Sequence, residues 1–195
     1  MIKIYVTTLL LAAMAFRASC QESLAPATPY GNNMVCITPA VINNTGPGLG
    51  CSYERLLDER GRIACYFPFY YTRRNRGWSY EARYKTDCFG GMAGLKFYPG
   101  SSRGTVRYAF GLGFPVDILT RNTDQIQSHI GVYDINQTEH FMRSGILFLN
   151  SLNATLAHKI VLGLDLNIGF AFSNEKDYDA SAPFVLLSFR AGYRF

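Results

Sequence analysis

The chain has 195 residues, of which 17% are charged and 14% are aromatic. This composition excludes a disordered or strongly solvated protein, and the length suits one domain with a closed sheet or a modest core. The formal net charge is only +5, which is not the balance of a nucleic-acid-binding protein, so we expect no nucleic-acid partner.

The N-terminus has the parts of a secretory signal peptide. Lys3 precedes an apolar run over residues 4–16, and small residues follow this run. The run is too short for a comfortable membrane span, so we predict a signal peptide over residues 1–20, cleaved after Cys20. Cleavage after Ala15 is the second choice.

An alternative makes Cys20 the lipidated first residue of the mature chain. Lipoprotein leaders usually carry Leu three positions earlier, where this chain has Arg17, so the first interpretation is preferred. Residues 21–32 are rich in Pro, Ser, Ala and Asn and are predicted to form a flexible entry segment before the domain at 33–195.

In chain order, the remaining sequence shows segments in which apolar and polar or small residues alternate. Period-two alternation predicts strands with one face in an apolar medium and the other in a polar one. Eight strands are predicted, over residues 33–42, 48–57, 62–72, 88–98, 105–116, 141–150, 158–172 and 183–195.

The links between these strands are alternately short and long. Residues 73–87 are predicted to form a basic loop, and 117–139 the longest irregular region, whereas 58–61, 99–104 and 151–157 are short turns. Short periplasmic turns and longer surface loops are typical of bacterial outer-membrane barrels. No stretch after the leader approaches a transmembrane helix, so a membrane form must be a closed, all-β, antiparallel up-and-down barrel.

Charged residues on the clean strands share a face with Gly and Ser. In a membrane barrel that face is the lumen, and glycines there admit the long side chains of neighbouring strands. Since an unpaired buried charge is costly, we predict that these residues pair with one another. The predicted lumen charge network consists of Glu54, Arg62, Lys96, Arg107, Asp165, Arg190 and Arg194.

The last strand ends on alternating aromatic residues, Phe189, Tyr193 and Phe195, with arginines on its other face. This ending resembles the C-terminal signal that the barrel insertion machinery reads in Gram-negative outer-membrane proteins. With the leader, the "SYERLL" strand and the terminal "GYRF", the chain resembles the small OmpA/OmpX-like outer-membrane β-barrel proteins. The resemblance implies a structural barrel, an adhesin or a narrow channel in the outer membrane.

The basic segment gives the clearest indication of a partner. Arg73, Arg74 and Arg76 stand beside Trp78. Arginine suits phosphate and tryptophan suits a membrane interface, so these residues are candidates for contact with lipopolysaccharide. A solvated loop with one interfacial aromatic explains the same pattern equally well.

Four cysteines remain after cleavage. We expect Cys51 and Cys65 to face lipid and Cys36 and Cys88 to face the lumen, all as free packing residues, and we place Cys51 near Pro68. No CxxC pair occurs, so no metal or cofactor is expected.

His129 and His140 flank the long predicted loop, near Ser128, Asp134, Glu139 and Ser144. A Ser, His and acid set can catalyse acyl transfer, so a lipid-modifying barrel enzyme is the first alternative function. A soluble periplasmic barrel with the aromatic rows inside, binding an apolar ligand, is the second alternative. The preferred prediction is a monomeric, non-enzymatic outer-membrane barrel, filled by side chains rather than a general pore, with a structural or surface-interaction role.

Overall fold

The computed structural model describes the chain from residue 31 onward, except for five short links and one longer one. The described residues are 31–58, 61–78, 82–100, 105–128, 131–157, 159–174 and 182–195. The predicted signal peptide, the Cys20 alternative, most of the entry segment and His129 lie outside these ranges. Within the ranges, side chains are described for all residues except 76–78, 82–83, 124–128, 131–136 and 182.

Eight antiparallel strands form one closed barrel in chain order, with β1 hydrogen-bonded to β8. The predicted fold class is therefore confirmed. The strands are β1 Asn33–Asn43, β2 Gly46–Leu56, β3 Ile63–Trp78, β4 Ala82–Phe97, β5 Val106–Ser128, β6 Gly131–Leu156, β7 Ile160–Ser173 and β8 Ala182–Arg194.

The barrel is inverted relative to a soluble core. On β7, Leu164, Leu166 and Phe170 are exposed on the outside, whereas Asp165 and Asn167 between them are buried in the lumen. Apolar side chains cover the outer surface of all eight strands in the same way. A surface of this kind is stable in lipid, so the arrangement is that of a membrane barrel and not of the soluble barrel with its aromatic rows inside.

Two predicted loops are wrong, because both are largely strand. β5 and β6 continue through most of residues 117–139 and pair as far as Ser128 opposite Gly131, and β3 and β4 replace most of the basic loop at 73–87. The alternation fades there because both faces of these strand ends meet water, so polar Thr, Asn and Gln residues replace the apolar face.

These strand ends form an open four-stranded sheet beyond the barrel. β2 pairs with β3 only as far as Gly48 opposite Thr72, and β7 pairs with β6 only as far as Ser173 opposite Arg143. We call the extension the projecting sheet; it consists of residues 73–78 of β3, 82–88 of β4, 119–128 of β5 and 131–142 of β6.

The other end of the barrel, which we call the terminal end, contains both ends of the described chain. The Asn33 N–H donates to the Phe195 carbonyl at 3.0 Å, and the Phe195 N–H donates to the Asn33 carbonyl at 2.9 Å. The predicted turn at 151–157 is displaced, since β6 runs to Leu156 and only then turns, with Ala157 at a φ of 46°.

Candidate functional site

The alternation of four strands brings four charged side chains to one level of the lumen. Glu54 on β2, Lys96 on β4, Asp165 on β7 and Arg190 on β8 are all at most 1% exposed. We call these four residues the lumen charge cluster. It contains two cations and two carboxylates, so its formal charges cancel.

Each cation of the cluster touches both carboxylates. Arg190 Nε lies 2.6 Å from Asp165 Oδ2, and Arg190 Nη1 lies 3.3 Å from Glu54 Oε2. Lys96 Nζ lies 3.2 Å from Asp165 Oδ1 and 3.4 Å from Glu54 Oε2. Because each charge has two partners of opposite sign, the attraction offsets the desolvation cost of burying four charges better than separate single pairs would.

Neutral side chains add further hydrogen bonds to the cluster. Tyr66 donates its hydroxyl to Asp165 Oδ2 at 3.1 Å, and its ring centroid lies 3.5 Å from Lys96 Nζ. Ser151 also donates to Asp165, Tyr98 donates to Glu54, and Arg190 Nη2 donates to Asn153 Oδ1 at 2.7 Å. Alternation along β3 places Tyr66 on the lumen face, but it does not give the level at which side chains of different strands meet, so it does not predict these contacts of Tyr66.

The other three predicted network residues are not among the four residues of the lumen charge cluster. Arg107 is buried with its guanidinium 4.5 Å from the Tyr98 ring, and Arg194 Nε donates to the Gly31 carbonyl at 2.7 Å near the terminal end. Arg62 does not enter the lumen: it precedes the first residue of β3 and is exposed. The predicted strand began one residue too early at this position.

A second charged group, which sequence reasoning missed, lies nearer the projecting sheet. Arg143 Nε donates to Asp117 Oδ2 at 3.0 Å, and Tyr70 donates its hydroxyl to Asp117 Oδ1 at 2.6 Å. The Arg143 guanidinium also lies 4.3 Å from the Phe184 ring. Asp117 was assigned to a loop, but continued alternation from Pro115 would have placed it in the lumen.

Apolar side chains fill the lumen between and beside these polar groups. One cluster on the side of the projecting sheet includes Met92, Leu147, Leu149 and Phe184, and a second one toward the terminal end includes Met34 and Leu56. The described lumen is thus filled by alternating polar and apolar layers, as an eight-stranded barrel allows.

The predicted lipopolysaccharide residues lie on the projecting sheet, and strand alternation separates them. Arg73 faces outward beside Asp87, with Nε 3.3 Å from its Oδ1, and Tyr71 donates to the same oxygen at 2.6 Å. Arg74 pairs with Thr86 on the opposite face of the sheet. Arg76 and Trp78 end β3, and their side chains lie outside the description.

The face of the projecting sheet above the lumen carries an arginine between two aromatic rings. The Arg121 guanidinium lies 5.3 Å from the Tyr84 ring centroid and 5.0 Å from that of Phe141. Arg121 is paired in register with Glu139 on β6. Cation–π contacts fix a guanidinium against an aromatic surface, so this face combines positive charge with stacking area.

The candidate acyl-transfer residues whose side chains are described are not brought together. His140 Nδ1 lies 3.1 Å from Thr120 Oγ1 on the exposed outer face, and Ser144 is four residues further along β6, opposite Val116. Among the described residues no group of His, Cys, Asp or Glu could hold a metal ion. Within the same ranges no helix is long and apolar enough to cross a membrane.

The four cysteines are free, with Cys36 and Cys88 buried in the lumen, Cys51 exposed and Cys65 half-buried on the outer surface. The predicted faces are therefore confirmed. The predicted cross-strand neighbour of Cys51, Pro68, is wrong by one residue. Cys51 pairs with Phe69, and Pro68 pairs with Ser52.

The fold is similar to that of solved outer-membrane barrels. No protein-family model matches the sequence, and no curated protein matches it. The Yersinia pestis attachment invasion locus protein Ail is 15% identical with a TM-score of 0.53, over 85% of this chain and 99% of that one; one of its structures contains the heparin analogue sucrose octasulfate.

Two further barrels agree with this fold. The N-terminal β-barrel domain of Pseudomonas aeruginosa OprF is 8% identical with a TM-score of 0.52, over 85% of this chain and 99% of that one. A major outer membrane protein of Thermus thermophilus is 10% identical with a TM-score of 0.54, over 86% of this chain and 100% of that one. By fold, this chain is a small closed β-barrel like those of these outer-membrane proteins, and its outer surface is apolar.

Proposed function

We propose that this protein is an outer-membrane barrel that holds a surface-exposed sheet for interaction with anionic saccharides. The observation that supports this role best is the projecting sheet, in which β5 and β6 stay paired beyond the last pair between β6 and β7. A sheet this long is not needed to close the barrel, whereas binding residues are commonly presented on such extensions of a rigid scaffold.

The orientation of the barrel follows from its two ends. Four strands extend beyond the barrel at the end opposite the terminal end, and bacterial barrels have short periplasmic turns and longer structures on the cell surface. With the terminal end in the periplasm, the projecting sheet stands outside the cell. The filled lumen supports a structural anchor and not a general pore.

The charge of the projecting sheet favours an anionic partner. Arg73 and Arg74 are exposed on it, and Arg121 lies between Tyr84 and Phe141. A guanidinium group binds two oxygens of a phosphate or sulfate through two parallel hydrogen bonds, and aromatic rings provide contact area beside it. Lipopolysaccharide phosphates and sulfated glycans share this chemistry, and the similar barrel Ail has been crystallised with a sulfated saccharide.

The experiment compares binding of the folded protein to immobilised heparin and to purified lipopolysaccharide before and after dephosphorylation. One variant carries Arg121→Gln, which removes the guanidinium between the Tyr84 and Phe141 rings. A second variant carries Arg73→Gln and Arg74→Gln. Lys159→Gln, at the terminal end, is the control.

We expect both sheet variants to keep the heat-dependent gel shift of a closed barrel and to lose binding that the control retains. If the sheet variants lose only the binding that depends on lipopolysaccharide phosphates, the partner is lipopolysaccharide. If they lose binding to heparin, the partner is a sulfated glycan. Full binding by all three variants would overturn a role for the projecting sheet.

A further inference from the structure

The outer surface near the terminal end contains a groove between β2 and β3. Its volume is about 440 Å³, and its lining includes Tyr53, Arg55, Leu57, Cys65 and Phe67. Tyr53 is paired in register with Phe67, and Arg55 with Cys65, so each pair consists of neighbours across the two strands. The small side chain of Cys65 leaves room between its larger neighbours.

Arg55 is unusual because it points outward from a membrane barrel. It is exposed on the same face of β2 as Leu49 and Cys51, and among the described residues no ion-pair or hydrogen-bond partner of its guanidinium is found. Most other charged side chains of the strands point into the lumen or lie on the projecting sheet. Its exposed position leaves the guanidinium accessible to a counter-charge from lipid or to water.

The depth of Arg55 is that of a membrane interface. Its register partner on β1 is Asn33, which is bonded in turn to Phe195 at the terminal end. One step closer to the membrane centre, Tyr53 donates its hydroxyl to Asn33 Oδ1 at 2.7 Å. Tyrosine at this depth marks the boundary between acyl chains and headgroups, so Arg55 is at the level of the phosphates.

We infer that this groove binds an anionic glycerophospholipid of the leaflet at the terminal end. The Arg55 guanidinium pairs with the phosphate, and an acyl chain lies against Tyr53, Phe67 and the apolar surface beyond them. One oxygen of the nearby Asp58 carboxylate, Oδ1, accepts from the backbone N–H groups of Arg62 and Ile63, which holds this carboxylate in the turn. The inference rests on the proposed membrane location and orientation.

The test uses the full chain in phosphatidylcholine vesicles that contain increasing fractions of brominated phosphatidylglycerol. The chain has one tryptophan, so Trp78→Phe removes the native fluorescence and Phe67→Trp places a reporter in the groove. Bromine quenches a neighbouring indole, which gives the relative affinity of the groove for the two lipids. Phe110→Trp, on the outer surface of β5, is the matched reporter away from the groove.

At the Phe67→Trp reporter we expect phosphatidylglycerol to bind about fivefold more strongly than phosphatidylcholine, the effect of one interfacial arginine. Arg55→Gln should bring this ratio close to that at the Phe110→Trp reporter, whereas Arg62→Gln, an exposed cation of the adjacent turn, should leave it unchanged. If the Phe67→Trp variant does not fold, Leu57→Trp provides the reporter.

Two different failures can be told apart. If the brominated lipid quenches neither reporter and the gel shift is absent, the protein is not inserted and the membrane function itself is wrong. If the protein is inserted but the two reporters give the same ratio, or Arg55→Gln leaves the ratio unchanged, the lipid site is wrong and the barrel assignment stands.

Discussion

Arg190 reaches across Gly163 to place its Nε atom 2.6 Å from Asp165 Oδ2, inside a barrel wall where neither side chain is more than 1% exposed. Gly163 is the register partner of Arg190 on β7, and a Cβ atom at Gly163 would lie 3.1 Å from Arg190 Nε. The contact thus depends on a missing side chain as well as on two charges. The interaction therefore depends on the residue type at position 163, on the register of β7 with β8 and on the opposite charges.

Asp165→Asn should destabilise the barrel strongly. The substitution keeps the shape but removes one of two carboxylates, so Lys96 and Arg190 then share only Glu54. Breaking a buried ion pair by removing one partner costs about 3–5 kcal/mol. Urea unfolding of the refolded protein in vesicles, followed by the gel shift, measures the change.

The control for this change is Glu139→Gln, which neutralises an exposed carboxylate on the projecting sheet. Surface substitutions usually change stability by less than about 0.5 kcal/mol. An equal urea midpoint for Asp165→Asn and Glu139→Gln would show that the lumen charge cluster adds nothing to stability.

Gly163→Val should displace the Arg190 side chain. The new Cβ atom would also lie 2.9 Å from Asn153 Oδ1, and two methyl groups would extend further into the cluster. Overpacking of a tight interior costs about 1–3 kcal/mol, and here a charge contact is lost as well. We expect a urea midpoint well below that of Leu164→Val, the matched change on the neighbouring lipid-facing residue; similar midpoints would contradict the role of Gly163.

Much of the barrel could be predicted from sequence because its wall separates two different media. On β7, lipid requires Leu164 and Leu166 to be apolar, and the narrow lumen requires small or polar residues between them, so the pattern gives both strand and face. This physical contrast ends where the strands leave the membrane. The prediction of a loop at 117–139 failed because water on both sides of the sheet removes the alternation.

The candidate site was less predictable than the fold. Alternation placed Glu54, Lys96, Asp165 and Arg190 on the lumen face, but which of them touch depends on strand tilt and register, which local patterns do not contain. For the same reason the predicted network wrongly includes Arg62, which lies one residue before its strand. The contact between Asp117 and Arg143 was not predicted either.

The filled lumen predicts a barrel that does not admit sugars. The lumen charge cluster and the layer around Asp117 and Arg143 lie one above the other, and Leu147 and Leu149 are buried nearby. Proteoliposomes should therefore swell no faster in an isotonic disaccharide solution than protein-free liposomes, whereas a general porin gives rapid swelling. Swelling at the porin rate would show a continuous channel and overturn the structural-anchor role.

Phe195→Ala should lower assembly in cells more than it lowers stability. The two backbone hydrogen bonds between Asn33 and Phe195 survive this change, and the exposed aromatic ring is lost. If the ring is the signal read by the insertion machinery, as we expect for Phe189, Tyr193 and Phe195, the amount of folded protein in the outer membrane falls several-fold. Refolding of purified protein into detergent should be nearly normal.

Phe97→Ala is the matched control, because it removes another exposed aromatic ring from the outer surface. It loses a similar lipid contact but leaves the C-terminus intact, so its assembly in cells should follow its stability. If Phe195→Ala and Phe97→Ala reduce assembly equally, or if refolding in detergent falls in parallel with assembly, the terminal residue acts only through lipid packing. A selective loss in cells assigns it to recognition, since detergent refolding requires no insertion machinery.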